Sequence, residues 1–254
     1  MQSQLKKLEG NISPDHTREL QLLKEKYAIL QNDLKKAQEY IDKKRSTMEE
    51  SINESIKILS RNIKNIEGTL MKEKLIDENC PSQEALKELE VVEKTIQKQK
   101  EKNEAYIKVQ KLMGIVPAPN KELQDVEVKF NDRKLLWNDV DRFIKLQEQW
   151  EKSNIRNFDS EDIQKDVQKF ELTVFQLKIR IANLSKEGRD KVLEAHEARI
   201  KSVVSLMPII VAVANKDLKD KHWKKIYDKL EQPMVAGKSV SLTELLSFGI
   251  MEKR

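Results

Sequence analysis

An all-α fold is predicted for these 254 residues, and three observations predict it. Charged residues make up 36% of the chain, aromatic residues only 5%, and there are six glycines and six prolines. Apolar residues recur at alternating spacings of four and three, which is the period of one helix face. A sheet would instead need short β-branched runs separated by turn residues. We therefore expect a long coiled-coil or helical-hairpin N-terminal half, followed by a helical bundle.

The distribution of charge indicates solvated helices. The net charge of +5 comes from 48 basic and 43 acidic side chains, and the two signs alternate in stretches such as EVVEKTIQKQKEK. A nucleic-acid-binding surface would concentrate basic residues on one face and interleave aromatic residues for stacking. The longest apolar run, residues 207–214, is far shorter than the ~18 residues of a membrane span. We therefore expect neither nucleic acid nor membrane among the partners.

Cysteine usage points to a reducing compartment. Cys80 is the only cysteine, so the chain cannot form an internal disulfide, and this is typical of the cytosol. The N-terminal residues contain no apolar signal core. A soluble, intracellular protein is expected.

The first half of the chain has the pattern of a coiled coil, which keeps one apolar seam facing a partner helix. One run with alternating spacing consists of Leu23, Tyr27, Leu30, Leu34, Ala37 and Ile41. A second run consists of Ile52, Ile56, Leu59, Ile63, Ile66 and Leu70. Met48 lies four residues before Ile52, and Ile52 four before Ile56, so a stutter separates the two runs.

Helix boundaries in this half follow from proline and capping residues. Pro14 can start the first helix, with Ser13 as its cap. Residues 77–81, which end in a proline, are expected to break it, and a second helix is predicted from about Ser82 to Met113. Its apolar positions include Leu86, Leu89, Ile96 and Ile107. The two helices could fold back as a hairpin or pair with another chain, and the pattern does not decide between these arrangements.

The main domain boundary is predicted at residues 114–120, where two prolines and a glycine end a helix and stiffen the connection. Residues 1–113 then form a helical coiled-coil tail segment. Residues 114–120 form a linker, and residues 121–254 form a helical bundle.

The second half has broader apolar faces, which are typical of a bundle. The first predicted helix has four large apolar residues on one side, namely Leu136, Val140, Phe143 and Trp150. A turn at 157–162, capped by Asp159 or Ser160, leads to a helix carrying Ile163, Val167, Phe170, Val174, Leu177 and Ile181. Residues 185–188 should end or bend that helix. The following helix carries Val192, Ile200, Val203 and Leu206. Aromatic residues on such faces are normally core residues.

The stretch MPIIVAVANKDLKDKHWKKI, residues 207–226, is the least ordinary part of the chain. Pro208 can open a short helix, since its missing N–H costs nothing in the first turn. Ile209, Ile210, Val211 and Val213 make that helix apolar nearly all round, so we expect it to be buried. Asn215 should end it, and Asp217 should lie in the first turn of the next helix. There one face is predicted to carry Leu218, His222, Ile226 and Leu230, with Trp223 and Tyr227 beside it.

Two short motifs resemble parts of known catalytic sites but lack essential residues. Ala236-Gly-Lys-Ser239 resembles the end of a phosphate-binding loop, yet Gln232 stands where that loop needs glycine. His196-Glu-Ala-Arg-Ile200 lacks the second histidine of a zinc-protease helix. The three histidines are far apart in the sequence. We therefore expect no metal, no cofactor and no catalytic residue in this segment.

From about residue 120 to residue 254, the order of elements resembles the dynein heavy chain family where the tail passes into the linker. That family has a proline-led apolar helix, an asparagine-containing turn, and a basic helix with Arg-His-Trp. The corresponding signature positions here are Pro208, Asn215, Lys221, His222 and Trp223. Downstream, the segment 241–249 is similar to a Thr-Leu-x-x-Leu-Leu helix of the family. Lys221 departs from the family's arginine and lacks its planar fork.

The resemblance implies a non-catalytic tail and linker portion of a motor. Dynein heavy chains are ATP-driven, minus-end-directed microtubule motors, whose ATP and magnesium are bound in a ring of AAA+ modules. The linker is a lever that moves across that ring. Implied partners are intermediate and light chains, other heavy chains and the ring of the same chain, with the microtubule contacted only indirectly.

Gln232-Pro233 and the leucine-rich segment at Thr243 are more similar to axonemal members of the family than to the cytoplasmic one. This resemblance implies a cytoskeletal location in a cilium or flagellum. The alternative is a free-standing coiled-coil scaffold or tether without motor activity. It would explain residues 15–113 equally well but leaves the second half without an explanation.

Overall fold

A computed structural model of the protein describes residues 14–182, 189–233 and 240–250. The ordered elements in these residues are α-helices and one 3₁₀ turn, and no strand occurs among them. The helices are α1 (Pro14–Leu70), α2 (Glu73–Ile76), α3 (Ser82–Leu112), α4 (Lys121–Lys152), α5 (Ser160–Ala182), α6 (Lys191–Val213), α7 (Asp220–Lys229) and α8 (Leu242–Ser247), with the 3₁₀ turn at Ile155–Asn157. The all-α prediction is confirmed.

The chain divides into two compact units. The first contains Met1–Leu59 and Glu104–Pro117, and the second contains Ser60–Asn103 and Ala118–Arg254. Helices α1 and α3 each pass from one unit to the other. The expected division at residues 114–120 into tail, linker and bundle stays a prediction, as does the coiled coil.

Within each unit, α3 runs antiparallel beside α1. In the first unit, Arg45 Nη2 donates a hydrogen bond to the carbonyl of Met113 at 2.8 Å. In the second unit, Asn62 Nδ2 donates to Gln99 Oε1 at 3.4 Å. Of the two arrangements that the sequence left open, the chain therefore adopts a helical hairpin over these residues.

The first helix ends at Leu70, before the break expected at 77–81. The residues between carry the short helix α2, which places Leu75 fully inside the second unit. There the carbonyl of Leu75 accepts a hydrogen bond from Trp137 Nε1 at 3.1 Å, which is also buried. Burial of Leu75 and satisfaction of the indole N–H favour this early turn over a longer helix.

The core of the second unit is formed by α4, α5 and α6, in the way that their spacing predicts. All six apolar positions predicted for α5, from Ile163 to Ile181, are buried. On α4, Leu136, Val140 and Phe143 are buried and Trp150 is half-buried. The turn before α5 is capped by Asp159, which accepts from the N–H groups of Glu161 and Asp162. The bend expected at 185–188 and the cap expected at Ser13 lie outside the described residues.

The expectation for residues 207–217 was wrong in two respects. Pro208 does not open a helix but lies inside α6, on its exposed side, and Val211 is 46% exposed. A helix packed on one face only can accept a proline on its solvent side, because the lost backbone hydrogen bond is replaced by water. Burial of Ile209, Ile210 and Val213 offsets that cost.

Helix α7 begins at Asp220, so Asp217 lies in the preceding turn. Its buried face consists of Trp223, Tyr227 and Leu230, while His222 and Ile226 are half-buried. The predicted face was therefore rotated by one residue. The large indole ring takes the central position because it buries more apolar area than an imidazole.

Candidate functional site

Trp223 is the anchor of the signature region. Its indole is 1% exposed, and the guanidinium of Arg156 lies over the ring, 5.1 Å from the centroid. Arg156 Nη1 also donates to Asp220 Oδ1 at 2.9 Å. One arginine from the 3₁₀ turn thus holds the first turn of α7 in two ways, through the ring face and through a carboxylate.

His222 has a capping role at the start of α7. Its Nδ1 accepts a hydrogen bond from the backbone N–H of Lys219 at 3.1 Å. This satisfies one of the donor groups that a helix N-terminus leaves without an intrahelical partner. When the ring is neutral, its proton is therefore on Nε2. The geometry is that of a structural histidine.

Asn215 and Lys221 occupy the turn and the surface. Asn215 Oδ1 accepts from the N–H of Asp217 at 2.9 Å, which closes a local turn between α6 and α7. Lys221 is exposed, and no carboxylate of the described residues pairs with it. A bidentate contact of the kind that arginine makes is not formed here.

The five signature positions do not form one pocket. Pro208 lines a small cavity of about 290 Å³ together with Ile226, Leu230 and Ile250. Trp223 faces the 3₁₀ turn instead, where Arg156 covers it. The predicted signature therefore describes two contacts of α7, one on α6 and one on the 3₁₀ turn that follows α4. Its assignment as a family signature stays a prediction.

The segment around α8 ties this corner to the end of α4. The N–H of Ile155 donates to the carbonyl of Val240 at 2.9 Å, and Asn154 and Ser241 form an isolated antiparallel bridge. Thr243 Oγ1 donates to the carbonyl of Glu151 at 3.3 Å. Helix α8 itself starts at the capping box that Ser241 forms with Glu244. The short helix expected near residue 241 is confirmed by these contacts.

A buried polar group lies at the centre of the α4–α5–α6 packing. His196 is fully buried, and its Nε2 lies 3.0 Å from Asp139 Oδ2. The rings of Phe143 and Phe170 stand edge-on to the imidazole, at centroid distances of 5.4 and 6.3 Å. The imidazole is enclosed by these rings, and its contact with Asp139 joins α6 to α4.

Two ion pairs lie in the same layer. Arg133 Nη1 and Asp190 Oδ2 are 2.6 Å apart, with both side chains buried. Asp190 also caps α6, because its Oδ1 accepts from the N–H of Leu193 at 3.0 Å. Asp132, which is buried, pairs with the partly exposed Arg180 at 3.1 Å. A buried charge is tolerated only when it is paired in this way.

Sequence reasoning missed these charged groups. The one available signal was the pair Asp132-Arg133, which interrupts an otherwise apolar helix face between Phe130 and Leu136. Two charged residues on the core-facing side of a helix indicate that they have buried partners. The sequence pattern does not show on which helix those partners lie.

Two carboxylates on the helix surfaces have lowered pKa values. Partial burial acts to raise the pKa of Asp141, but hydrogen bonds from Lys145, Gln83 and Ser82 outweigh it, so that the pKa lies below its usual range. The contacts from Ser82 and Gln83, at 2.8 and 2.6 Å, join the start of α3 to α4. For Glu197, hydrogen bonds from Lys201 and Lys178 lower the pKa.

The surface also contains one larger cleft. Its volume is about 820 Å³, and it lies among the last turns of α1, α4 and the start of α6. Five basic side chains and three carboxylates line it, among them the Arg133–Asp190 pair. The excess of basic groups favours anionic neighbours over cationic ones.

The described residues contain neither a metal-binding cluster nor a membrane-spanning helix. No group of three or more His, Cys, Asp or Glu side chains is placed there to hold a metal ion. No helix in the same residues is apolar and long enough to cross a membrane. The phosphate-loop-like residues 236–239 lie outside the described ranges.

Comparison with known proteins indicates a family for this chain, which the geometry alone does not. Residues 123–254, slightly more than half of the chain, match the family described as dynein heavy chain, N-terminal region 2. The human protein dynein axonemal heavy chain 6 is 25% identical to this chain over 142 residues. That alignment covers 56% of this chain and only 3% of the human protein, so the chain spans a small fraction of its relative's length.

Proposed function

This chain belongs to the dynein heavy chain family, and we propose that it is the tail and linker portion of a heavy chain that acts as a mechanical lever. The observation that carries the proposal is the match of residues 123–254 to the family's N-terminal region. That region is a non-catalytic part of the family, so the chain's own contribution is mechanical and any ATP hydrolysis occurs elsewhere in the heavy chain.

The packing of the second unit supports a lever. A lever transmits force only if its helices do not slide or bend, and dense packing of large side chains provides that resistance. Here Trp137, Phe143 and Phe170 are at most 1% exposed in the α4–α5–α6 layer. Trp223 adds a second anchor at the α7 corner. The ion pair between the buried side chains of Arg133 and Asp190 further restricts relative movement of α4 and the start of α6.

The motor activity belongs to the complete heavy chain in this proposal. That heavy chain is an ATP-driven motor directed toward the minus end of microtubules, with ATP and magnesium bound in its AAA+ ring. The lever contacts the ring of the same chain and reaches the microtubule only indirectly. Intermediate and light chains and other heavy chains bind the helical tail. The axonemal human relative supports a location in the axoneme of a cilium or flagellum.

The test uses the native protein from ciliated cells. An antibody against residues 216–229 is used to follow the polypeptide through purified axonemes and through microtubule pelleting. If it is part of a motor, it pellets with microtubules without nucleotide and is released by ATP. A polypeptide whose pelleting does not respond to ATP contradicts the motor proposal. One that is absent from axonemes and present in cytosolic extracts contradicts the axonemal location.

The second candidate function is a free-standing scaffold or tether. It is favoured by the exposed apolar residues of α1 between Leu20 and Met48, which a tether would use to bind another helix. In the pelleting experiment a scaffold shows no response to ATP.

A further inference from the structure

The cleft of about 820 Å³ in the second unit has the size of a binding site. Small-molecule pockets in proteins usually enclose about 300–1,000 Å³ and combine apolar walls with a few polar groups. The described residues that line this cleft all belong to the second unit, so one compact unit forms it. The proposed lever function makes no use of it.

The walls of the cleft are apolar. Leu70 at the end of α1 and Ile181 on α5 are buried behind them, whereas Met71 is 40% exposed and Ile76 of α2 is half-buried. A methionine at such a surface adapts its shape to an apolar neighbour, because its side chain is flexible and polarisable. These walls can therefore hold the apolar part of a ligand away from water.

The charged side chains of the cleft do not cancel. Of its five basic groups and three carboxylates, Lys129 pairs with Glu67, and Arg133 pairs with Asp190. Among the described residues, the remaining four form no ion pair, namely Lys64, Arg189, Lys191 and Glu194. Three of these are cations and one is a carboxylate. Because the walls are apolar, the excess of positive charge attracts anions more strongly than it would on an open surface.

Gly68 keeps one side of the cleft open. Residues three and four apart are neighbours on a helix, so Lys64, Gly68 and Met71 form one row beside the cleft. A Cβ atom at position 68 would lie in open space, with no atom of another described element within 4 Å. Packing therefore does not require glycine here, although alanine is the more stable residue in a helix. What glycine provides is room for a molecule that approaches the backbone of α1.

The dimensions favour a small molecule over a segment of a protein partner. Thirteen described residues line the cleft, fewer than the roughly 20–30 that a specific protein interface uses on each side. They come from one or two turns of each helix. The lining is therefore that of a short cavity and not of an extended groove.

From the apolar walls, the excess of cations and the open side at Gly68, we propose that this cleft binds a small organic anion with an apolar body and two negatively charged groups. The apolar body lies beside Gly68, against Met71 and Ile76. The charged groups lie at the rim, where Lys64 belongs to α1 and Lys191 to α6. The proposal rests on the second unit alone and is independent of the motor assignment.

Fluorescence anisotropy of a rigid probe tests the class of ligand. The probe is a naphthalene dicarboxylate with its two carboxylates at opposite ends, titrated with the full 254-residue chain. The neutral diamide of the probe has the same body without the charges, and succinate has the charges without the aromatic body. The dicarboxylate should bind roughly tenfold or more tightly than the diamide, and than succinate measured by competition. Absence of saturable binding by the dicarboxylate overturns the proposal, as does equal affinity for the diamide.

A substitution at Gly68 locates the bound probe. Gly68→Phe places a ring in the cleft, and the fold should tolerate it because the space beside Gly68 is open. It should weaken binding roughly tenfold or more, with the helix content from circular dichroism retained. The matched control is Asn65→Phe, since Asn65 is exposed on the same part of α1 but does not line the cleft. Equal affinities of the two variants place the probe elsewhere and refute the proposal.

Removal of charge tests the rim without filling the cavity. Lys64→Gln combined with Lys191→Gln should weaken the dicarboxylate roughly tenfold and leave the affinity for the diamide unchanged. The control combines Lys94→Gln with Lys98→Gln, two exposed lysines of α3 that do not line the cleft. Equal loss of affinity in the two double variants shows general attraction to a basic protein and contradicts the assignment of the rim.

A peptide competitor separates a small molecule from a protein segment. A blocked tripeptide of sequence Glu-Phe-Glu has the same combination of carboxylates and an aromatic body. It should displace the dicarboxylate only at concentrations roughly tenfold higher or more. Displacement at lower concentrations than the dicarboxylate itself needs would identify a protein segment as the occupant and refute the small-molecule proposal.

Discussion

Replacing Trp223 with alanine should remove the main anchor of α7. The indole is 1% exposed, so truncation leaves a cavity that the surrounding helices can only partly fill. The expected loss is about 3–5 kcal/mol of unfolding free energy, as for other buried tryptophans. The stacked guanidinium of Arg156 accounts for about 0.5–2 kcal/mol of that figure.

The loss is large enough to be measured without ambiguity. A typical folded protein has an unfolding free energy of about 5–15 kcal/mol, so the expected loss is a substantial part of the total. With a urea dependence of about 3 kcal/mol per molar, the midpoint should fall by roughly 1–2 M. Circular dichroism during urea unfolding gives the midpoint, and hydrogen exchange in α7 shows whether the loss is local or global.

The control is an aromatic residue on the surface of the same unit. Phe175 is 62% exposed on α5, so Phe175→Ala should change the stability by no more than about 0.5 kcal/mol. If Trp223→Ala leaves the midpoint unchanged, or shifts it no more than Phe175→Ala does, then Trp223 is not an anchor. In that case, the account of the α6–α7 corner as a packed element of a lever is wrong.

Three further changes test the ion pairs and the helix geometry. Asp190→Ala leaves Arg133 charged and buried without its partner and removes the cap of α6, so it should lower the free energy of unfolding by about 3–5 kcal/mol. Replacing both residues by leucine should recover most of that loss, as measured by urea unfolding. No recovery would show that loss of the cap, and not of the ion pair, accounts for most of the effect. The lowered pKa of Asp141 means that its stabilisation is present above its unfolded pKa of about 3.9 and disappears as the pH falls through the lower folded value. Urea midpoints of Asp141→Asn should therefore fall less than those of the wild type on acidification below about pH 4, and parallel pH curves would contradict this. Pro208→Ala restores a backbone hydrogen bond inside α6, so it should raise the free energy of unfolding by up to about 3 kcal/mol and raise the melting temperature with it. A lower melting temperature would mean that the proline ring is required for packing against α7.

Much of the fold follows from apolar spacing. The six apolar positions of α5 are all buried because their spacing of four and three defines a single face, and a helix in a bundle buries one face. The boundary of α8 follows from Ser241 and Glu244, since a capping box is a local interaction between residues three apart. Features that depend on near neighbours in sequence were therefore predicted well.

Features that depend on long-range contacts were not predictable in the same way. The early end of α1 depends on Trp137, which is 62 residues from the Leu75 carbonyl that it binds. Arg156 covers Trp223 from another element, and nothing in the sequence near Arg156 indicates this. Proline chemistry permits either a helix start or a solvent-facing position within a helix, and only the packing of Ile209 and Ile210 selects the second for Pro208.

The two apolar runs of α1, residues 23–41 and 52–70, show the same difference between local pattern and long-range contact. Both have the same spacing, but Ile63 is buried and Leu30 is exposed. Spacing predicts that a seam exists, whereas its partner is determined by where α3 ends. This is why the sequence could not decide between a hairpin and a second chain.

The size of the native polypeptide distinguishes a part of a heavy chain from a free-standing scaffold. An antibody against residues 216–229 is used to probe denatured ciliary and cytosolic extracts after separation by size. We expect a band many times larger than 29.7 kDa in the ciliary extract, because the chain covers only 3% of its human relative. A single band near 29.7 kDa would mean that the lever is not joined to a motor, and the motor proposal would be refuted.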